Sequence, residues 1–426
     1  MPKILSLVGI AGFGVAAAGA PAMAAVEPSA GSTAWVLTST ALVLFMTLPG
    51  LALFYGGLVR ARNVLSVLMH CFAICCVVSL LWALVGYSLA FGEGGSFIGD
   101  LNHVFLRNLA VVRAGTEVPE GVFAMFQMTF AIITPALIVG AFPERVNFPF
   151  VVLFSAAWLL FVYVPVAHWV WGGGWLAQMG VLDFAGGIVV HTTAGISALV
   201  AAVMVGARKG FPATLIPPHS PILTMIGAGM LWVGWFGFNG GSALGATNVA
   251  GNAILVTHLA AASHVTAEWI KVGKPTSVGI VTGCIAGLAT VTPASGYIGP
   301  GGGMAIGAAA GLVCFNITLV VKQRFKIDDS LDVFAVHGVG GMLGSLLLSA
   351  FALPSLGGVG LAEGMDGLHQ LGVQVLAVVV VGLWSGIATY VLVKLLGAVT
   401  RVRVTEEQER EGLDLVSHGE RGYDLN

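Results

Sequence analysis

Charge is the property this sequence has least of. Only 9% of its 426 residues are Asp, Glu, Lys or Arg, whereas a soluble domain carries about 25%. Water is thereby excluded as the main solvent, and a bilayer takes its place. Cysteine is scarce as well. All five (Cys71, Cys75, Cys76, Cys284, Cys314) fall inside apolar runs, and an odd count without an extracellular spacing pattern gives no disulfide framework. Alternating segments of ~10 residues are missing, which argues against a transmembrane barrel. A net charge of −2 points to no particular partner, and neither nucleic acid nor a cofactor is expected.

What the chain does have is apolar length. Hydrophobic residues make up 57% of it and the mean hydropathy is +0.94. The 60 glycines suit close helix packing in lipid, where small residues line the contacts. Runs of spanning length, about 20 residues, recur at 33–59, 64–91, 121–142, 148–170, 184–206, 221–241, 249–270, 276–291, 302–321, 331–352 and 370–398. The expected fold is all-α and integral to the membrane, with eleven transmembrane helices in a membrane domain over 33–400. Residues 1–24 read instead as a cleaved signal peptide: Lys3 is the basic start, Ile4 to Ala18 the apolar stretch, and Ala22-Met23-Ala24 the small-x-small cleavage pattern.

Orientation follows from the cations. Of the 18 Lys and Arg, Lys3 belongs to the leader, only Arg107 and Arg113 fall outside, and the rest fall inside when the mature N-terminus is external. Cytoplasmic loops carry the basic excess, so the chain is expected to be N-out and C-in. The tail, 401–426, turns abruptly polar at Glu406-Glu407-Gln408-Glu409-Arg410-Glu411. Composition alone makes it a solvated terminal segment, and a cytoplasmic regulatory contact is the sharper alternative.

Two short patterns suggest an internal repeat. Asp183 stands at the outer entry to the fifth run with His191 eight residues on, and Asp332 stands near the inner entry to the tenth with His337 five residues on. At about 1.5 Å per residue, both imidazoles approach the midplane of a ~30 Å hydrocarbon core from opposite faces. Two halves of five spans have opposite topology, and such inverted repeats place a functional site at their interface. Both aspartates are expected to cap helix starts. A histidine inside a span is costly and marks function by default, which singles out the matched pair His191 and His337. His70, His258 and His264 lack that symmetry. Aromatic residues form a second group. Phe126 and Phe130 share a helix face, Trp235, Phe238 and Ser242 follow at spacings of three and four, and Trp171 lies where the fourth run ends. Aromatic faces with one hydroxyl suit a small cation stripped of water, because a desolvated cation–π contact contributes about 2 kcal/mol.

At this point the sequence resembles the Amt/Mep/Rh family of ammonium transporters, most nearly its bacterial Amt branch. The strings that carry the resemblance span nearly the whole mature chain: Phe54-Tyr55-Gly56-Gly57-Leu58, Asp183-Phe184-Ala185-Gly186-Gly187, Gly234-Trp235-Phe236-Gly237-Phe238-Asn239, Asp332-Val333-Phe334-Ala335-Val336-His337-Gly338 and the tail from Glu406 to Asp414. The resemblance implies a homotrimer in the bacterial inner membrane with one pore per subunit and a five-plus-five inverted repeat plus one extra helix. By position it implies an outer ammonium-recruitment site at Phe126, Trp171 and Ser242, supported by the buried Asp183. It also implies a phenyl gate at Phe130 and Phe238, twin pore histidines at His191 and His337, and further pore-lining roles for Tyr55 and Trp235. The tail and inner loops resemble a surface that binds PII-type signalling proteins. Met128-Thr129 departs from the Gly-Ser that many bacterial members carry between the two phenylalanines, and leaves the gate spacing intact.

The chemistry expected of such a pore turns on shedding charge. An alkylammonium with a pKa of about 10.4 loses up to ~3–5 units on full burial, so ammonia is the favoured form beyond the gate. Potassium has no neutral form. The expected activity is therefore ammonium or methylammonium conduction, not enzymatic turnover. The rivals are a sensor that reports ammonium through its tail, a metalloenzyme built on His191 and His337, which lacks the usual third ligand, and a carbon dioxide channel.

Overall fold

The computed structural model describes residues 27–214, 216–264, 269 and 273–424. The expected signal peptide lies outside them. Among the described residues, nine helices are long and apolar enough to cross a membrane: α1 (Ala30–Leu58), α2 (Ala61–Phe91), α3 (Glu120–Val139), α4 (Phe148–Gln178), α5 (Gly187–Val205), α6 (Pro221–Gly240), α9 (Pro300–Arg324), α10 (Phe334–Phe351) and α11 (Gly367–Val399). Two shorter apolar helices, α7 (Asn248–Ala262) and α8 (Ser277–Val291), stand between them. Each apolar run in the sequence overlaps one of these helices; the run expected over 249–270 outlasts α7, which ends at Ala262, and lies partly outside the described residues.

Local chemistry sets where the helices begin. Ser29, Ser220, Thr247, Thr276 and Asp366 each accept a hydrogen bond from an amide three residues ahead, satisfying a donor that the first turn leaves free. Pro221 and Pro300 occupy first-turn positions, where a missing N–H costs nothing. In α1 the backbone leaves helical geometry at Leu48, φ −125° and ψ 98°, just ahead of Pro49, as the restriction on a residue before proline requires.

Two helices decide where the chemistry sits. The first turns of α5 (Gly187–Thr192) and α10 (Phe334–Val339) are both π-helical, and each packs on the regular α-helical part of the other. Glycine makes the crossing possible. A Cβ on Gly195 would lie 2.2 Å from the Gly338 Cα, and one on Gly341 would lie 2.7 Å from the His191 Cβ.

The carboxylate that begins α10 is not the one the sequence suggested. Asp332 pairs with Lys322 at 2.7 Å, while Asp329 Oδ2 accepts the Phe334 amide at 2.7 Å. Asp332 adopts a left-handed backbone, φ 62°, so the chain turns at this residue and the earlier aspartate reaches the helix start. Asp329 precedes His337 by eight residues, the same interval that separates Asp183 from His191.

The polar tail is docked rather than solvated. Asn147 N–H donates to the Val402 carbonyl at 2.9 Å, and Val404 N–H donates to the Arg145 carbonyl at 3.1 Å. Two short helices follow, α12 (Glu406–Glu411) and α13 (Leu413–His418). Thr405 and Gln408 form a capping box at the first. Asp414 accepts the Ser66 amide, and the Leu413 amide donates to Asn63, both at 2.8 Å. Beneath the tail lies a buried ionic network. Arg208 binds Asp328 through Nε and Nη2 at 2.9 Å each and reaches Glu144 at 3.3 Å. Arg145, with no exposed surface, donates to the carbonyls of Ala141, Gly206 and Asp328 and to the Ser330 hydroxyl.

Candidate functional site

The site gathers side chains from five helices. α3 brings Phe126 and Phe130, the end of α4 brings Trp171, α5 brings His191, α6 brings Trp235 and Phe238 with Ser242 just beyond, and α10 brings His337. Because α3 runs from Glu120 to the ionic network beneath the tail, its first turns mark the end of the bundle away from the tail.

At that end a cavity of about 240 Å³ has Phe130, Trp171, Ser242, Gln127, Phe184 and Arg113 in its wall. Phe126 is not in this wall. It is fully buried behind Phe130, ring centroids 5.0 Å apart. The Trp171 indole is tied down by its Nε1, which donates to the Asp183 carbonyl at 2.8 Å. The Asp183 side chain in turn accepts four amides, from Gly186, Gly187, Ile188 and Val189, at 2.7–3.0 Å. Four donors offset the cost of burying a carboxylate, and they fix α5 relative to the indole. Asp183 thus acts through Trp171 rather than by lining the cavity. Ser242 Oγ donates to the Phe238 carbonyl at 2.8 Å, which uses its proton and leaves lone pairs free to accept from a cation.

Below the cavity the rings stack into a column. Trp171 meets Phe130 edge-on, centroids 5.9 Å apart at 89°. Phe130 and Phe238 are 4.3 Å apart at 34° and each only 1% exposed, so they close the floor. Phe238 stacks on His191 at 6.0 Å, and His191 stacks on His337 at 5.2 Å. The two Nδ1 atoms are 3.3 Å apart, so one imidazole donates and the other accepts. His191 Nε2 is buried with no partner among the described residues. Trp235 lies against His191 at 5.7 Å and donates from Nε1 to the Thr292 hydroxyl at 2.8 Å.

The histidines face a narrow cavity of about 10 Å³, shared with Phe238, Trp235, Ile285 and Leu137. That is room for about one water-sized sphere. Tyr55 is not in this wall; its hydroxyl donates to the Leu137 carbonyl at 3.1 Å, and Phe54 lines the cavity in its place. Apart from the imidazoles, the Trp235 indole and the Met46 thioether, the lining is hydrocarbon, so a hydrated cation would have to leave its water behind.

Four residues of the site and its supports escaped the sequence reading. Gln127 and Arg113 stand in the wall of the cavity away from the tail, the latter paired with Glu120 at 3.1 Å and laid over the Phe123 ring at 4.6 Å. Phe54 lines the narrow cavity beside the histidines. Asp329 supplies the α10 cap; its equal spacing to His337 was the available signal. Among the described residues, no three His, Cys, Asp or Glu side chains group as a metal site would require.

Comparison with known proteins gives this column its context. The profile of the Ammonium Transporter Family matches residues 34–423. An ammonium transporter of Aquifex aeolicus is 46% identical over 402 residues, covering 93% of this chain and 94% of its own. One from Bacillus subtilis is 44% identical over 404 residues, covering 92% and 98%. Among solved structures, a protein named Sensor Amt Protein superposes with a TM-score of 0.85 at 32% identity, over 91% of this chain and 98% of that one. Candida albicans Mep2 does so with 0.82 at 32%, over 89% and 88%. The two sequence relatives are named as transporters rather than enzymes, and the chain, a multi-pass membrane protein, belongs to the Ammonium Transporter Family.

Proposed function

We propose that this protein is an ammonium channel that recruits the cation at Trp171 and Ser242 and passes it across the Phe130–Phe238 gate as ammonia. The observation that carries this reading is the unbroken column from Trp171 through Phe130, Phe238 and His191 to His337. The outer end offers an indole face and a hydroxyl acceptor, the chemistry that holds a desolvated cation. Phe126, behind Phe130, completes the recruitment site by fixing that ring. Beyond the gate the lining is apolar, and a guest that loses its proton avoids the cost of carrying a charge through it. The His191–His337 pair can pass a proton between its Nδ1 atoms while ammonia crosses, and Tyr55 braces the pore wall through Leu137.

The reading extends to architecture. The eleven apolar helices form two inverted halves of five, with α11 outside the repeat and one pore per subunit. The shared Asp–His interval and the reciprocal packing of α5 and α10 support this. The positive-inside rule places the tail and the ionic network in the cytoplasm of a bacterial inner membrane. Three subunits assemble, and the docked tail with the inner loops offers a surface for a PII-type signalling protein.

A sensor acting through the tail is the second reading, favoured by the tail's contacts with the inner loops and by the name of one structural neighbour, Sensor Amt Protein. Methylammonium uptake by proteoliposomes separates the two. A channel takes it up, and Phe238→Ala together with His191→Ala changes the rate; a sensor without conduction takes up none.

A further inference from the structure

Asp183 and Asp329 occupy equivalent places, eight residues ahead of their histidines, yet they are held differently. Asp183 has both oxygens saturated by amides. Asp329 is 1% exposed; its Oδ2 accepts the Phe334 amide, and its Oδ1 is buried with no partner among the described residues. A buried carboxylate with one oxygen left bare is far costlier as an anion than as a neutral acid.

The groups around it reinforce that preference. Asp332 faces Asp329 from the same turn and adds a like charge. Its own charge is met by Lys322 from α9 at 2.7 Å, so the lysine is engaged with Asp332 first. The Val333 amide and Lys322 favour the anion, and the Tyr55 hydroxyl of α1 stands within electrostatic range of both carboxyls. The neighbouring Asp328 is bound up with Arg208 and Arg145. Burial and Asp332 push the Asp329 carboxyl up to about 7. Asp332 also lines a cavity of about 530 Å³ at the tail-bearing end, which reaches Val336, the residue before His337.

We propose that Asp329 is the proton-holding group of the inner end of the pore, linked through Asp332 to the inner cavity and acting on the guest after it has passed His337. The inference rests on the transport reading above. In the step, the Asp329 carboxyl passes its proton to the Asp332 carboxylate, which lines the inner cavity, and ammonia takes it there: the Asp329 O–H bond breaks, an N–H bond forms, and ammonium and an Asp329 carboxylate result. The carboxylate regains a proton shed by the next guest at the outer end and passed along His191 and His337. No proton is gained or lost over the cycle. Asp183, with both oxygens taken up by amides, lacks the bare oxygen that sets Asp329 apart.

The test is a pH titration of purified protein in lipid. Infrared difference spectra of the wild type should show a protonated-carboxyl band that disappears with a midpoint near neutral pH, absent in Asp329→Asn. Initial rates of methylammonium uptake, measured against internal pH, should carry an inflection at the same midpoint. Asp329→Asn should lose that inflection and Asp329→Glu should keep one, displaced. Asp332→Asn removes the like charge and should lower the midpoint by about one pH unit, a readout that survives if Asp329→Asn fails to fold. A wild type without the band, an Asp329→Asn protein with the wild-type inflection, or an unmoved midpoint in Asp332→Asn would each overturn the proposal. A wild type that takes up no methylammonium at any pH defeats the transport reading instead.

Discussion

His191 and His337, 146 residues apart in sequence, bring their Nδ1 atoms to 3.3 Å inside the bundle. The contact depends on backbone proximity one turn away, where Gly195 meets Gly338 with no room for a Cβ. Gly195→Ala should therefore push α5 and α10 apart. Overpacking of this kind costs about 1–3 kcal/mol, and methylammonium uptake should fall about tenfold, the equivalent of ~1.4 kcal/mol on the barrier. Uptake at the wild-type rate by a folded Gly195→Ala protein would show that the close crossing does not set the pair.

Asp183 should matter to stability as much as to transport. In Asp183→Asn one carbonyl oxygen must serve four amides, and the new amide group presents donors to donors. With about 1–3 kcal/mol per unsatisfied buried group, the loss should total roughly 3 kcal/mol and appear as a lower melting temperature in detergent. Because the Asp183 carbonyl also holds Trp171, apparent affinity should weaken in parallel. An unchanged melting temperature would contradict the role given to these bonds.

Arg113 places a cation in the wall of a vestibule read as a cation site. Its partner Glu120, only 4% exposed at the side chain, offsets that charge. Glu120→Gln should leave the guanidinium uncompensated and weaken methylammonium competition about two- to tenfold, the size expected for one charge several ångströms away in a partly wet site. Arg113→Gln should act in the opposite direction. Both shifts should shrink as salt is raised, and equal effects at low and high salt would point to packing instead.

How much of this was written in the sequence? The helices were legible because each is an apolar run bounded by a cap, a proline or a charge, as at Ser220-Pro221. The two histidines were legible because a polar ring in hydrocarbon needs a reason. The pairing of Asp332 with His337 was misread, since the left-handed turn at Asp332 and its lysine partner are features of the folded backbone. Their recurring pattern, Asp183-His191-Gly195 and Asp329-His337-Gly341, is visible in hindsight as identical spacing. Which of Phe54 and Tyr55 lines the cavity beside the histidines depends on helix rotation, which a helix with apolar residues on all sides does not specify. The docked tail was hidden for a different reason: each of the contacts described for it uses at least one backbone group, as at Arg145, Asn147, Ser66 and Leu413, which composition cannot reveal.

The ionic network beneath the tail gives a pH signature. Burial alone would raise the Asp328 carboxyl, but the guanidinium of Arg208, with Arg145 beyond it, holds it down at about 2. A carboxylate whose folded pKa is depressed stabilises the fold fully above its unfolded value of about 3.9, and that contribution is lost as pH falls through the folded value. The tail rests on the Arg145 carbonyl, so its protection from limited proteolysis should hold at neutral pH and fail on acidification from about 4 toward about 2. Asp328→Asn should lose it at neutral pH, at a cost of about 3–5 kcal/mol for breaking a buried pair. A tail equally protected in both proteins would show that the network does not hold it.

The most direct measurement compares ammonium with potassium. The two cations are close in size, and only ammonium can leave its charge behind at the Phe130–Phe238 gate. In proteoliposomes of the wild-type protein, an inward ammonium gradient should drive rapid uptake while an equal potassium gradient drives none. Potassium carried as readily as ammonium would contradict the claim that the guest crosses this pore uncharged.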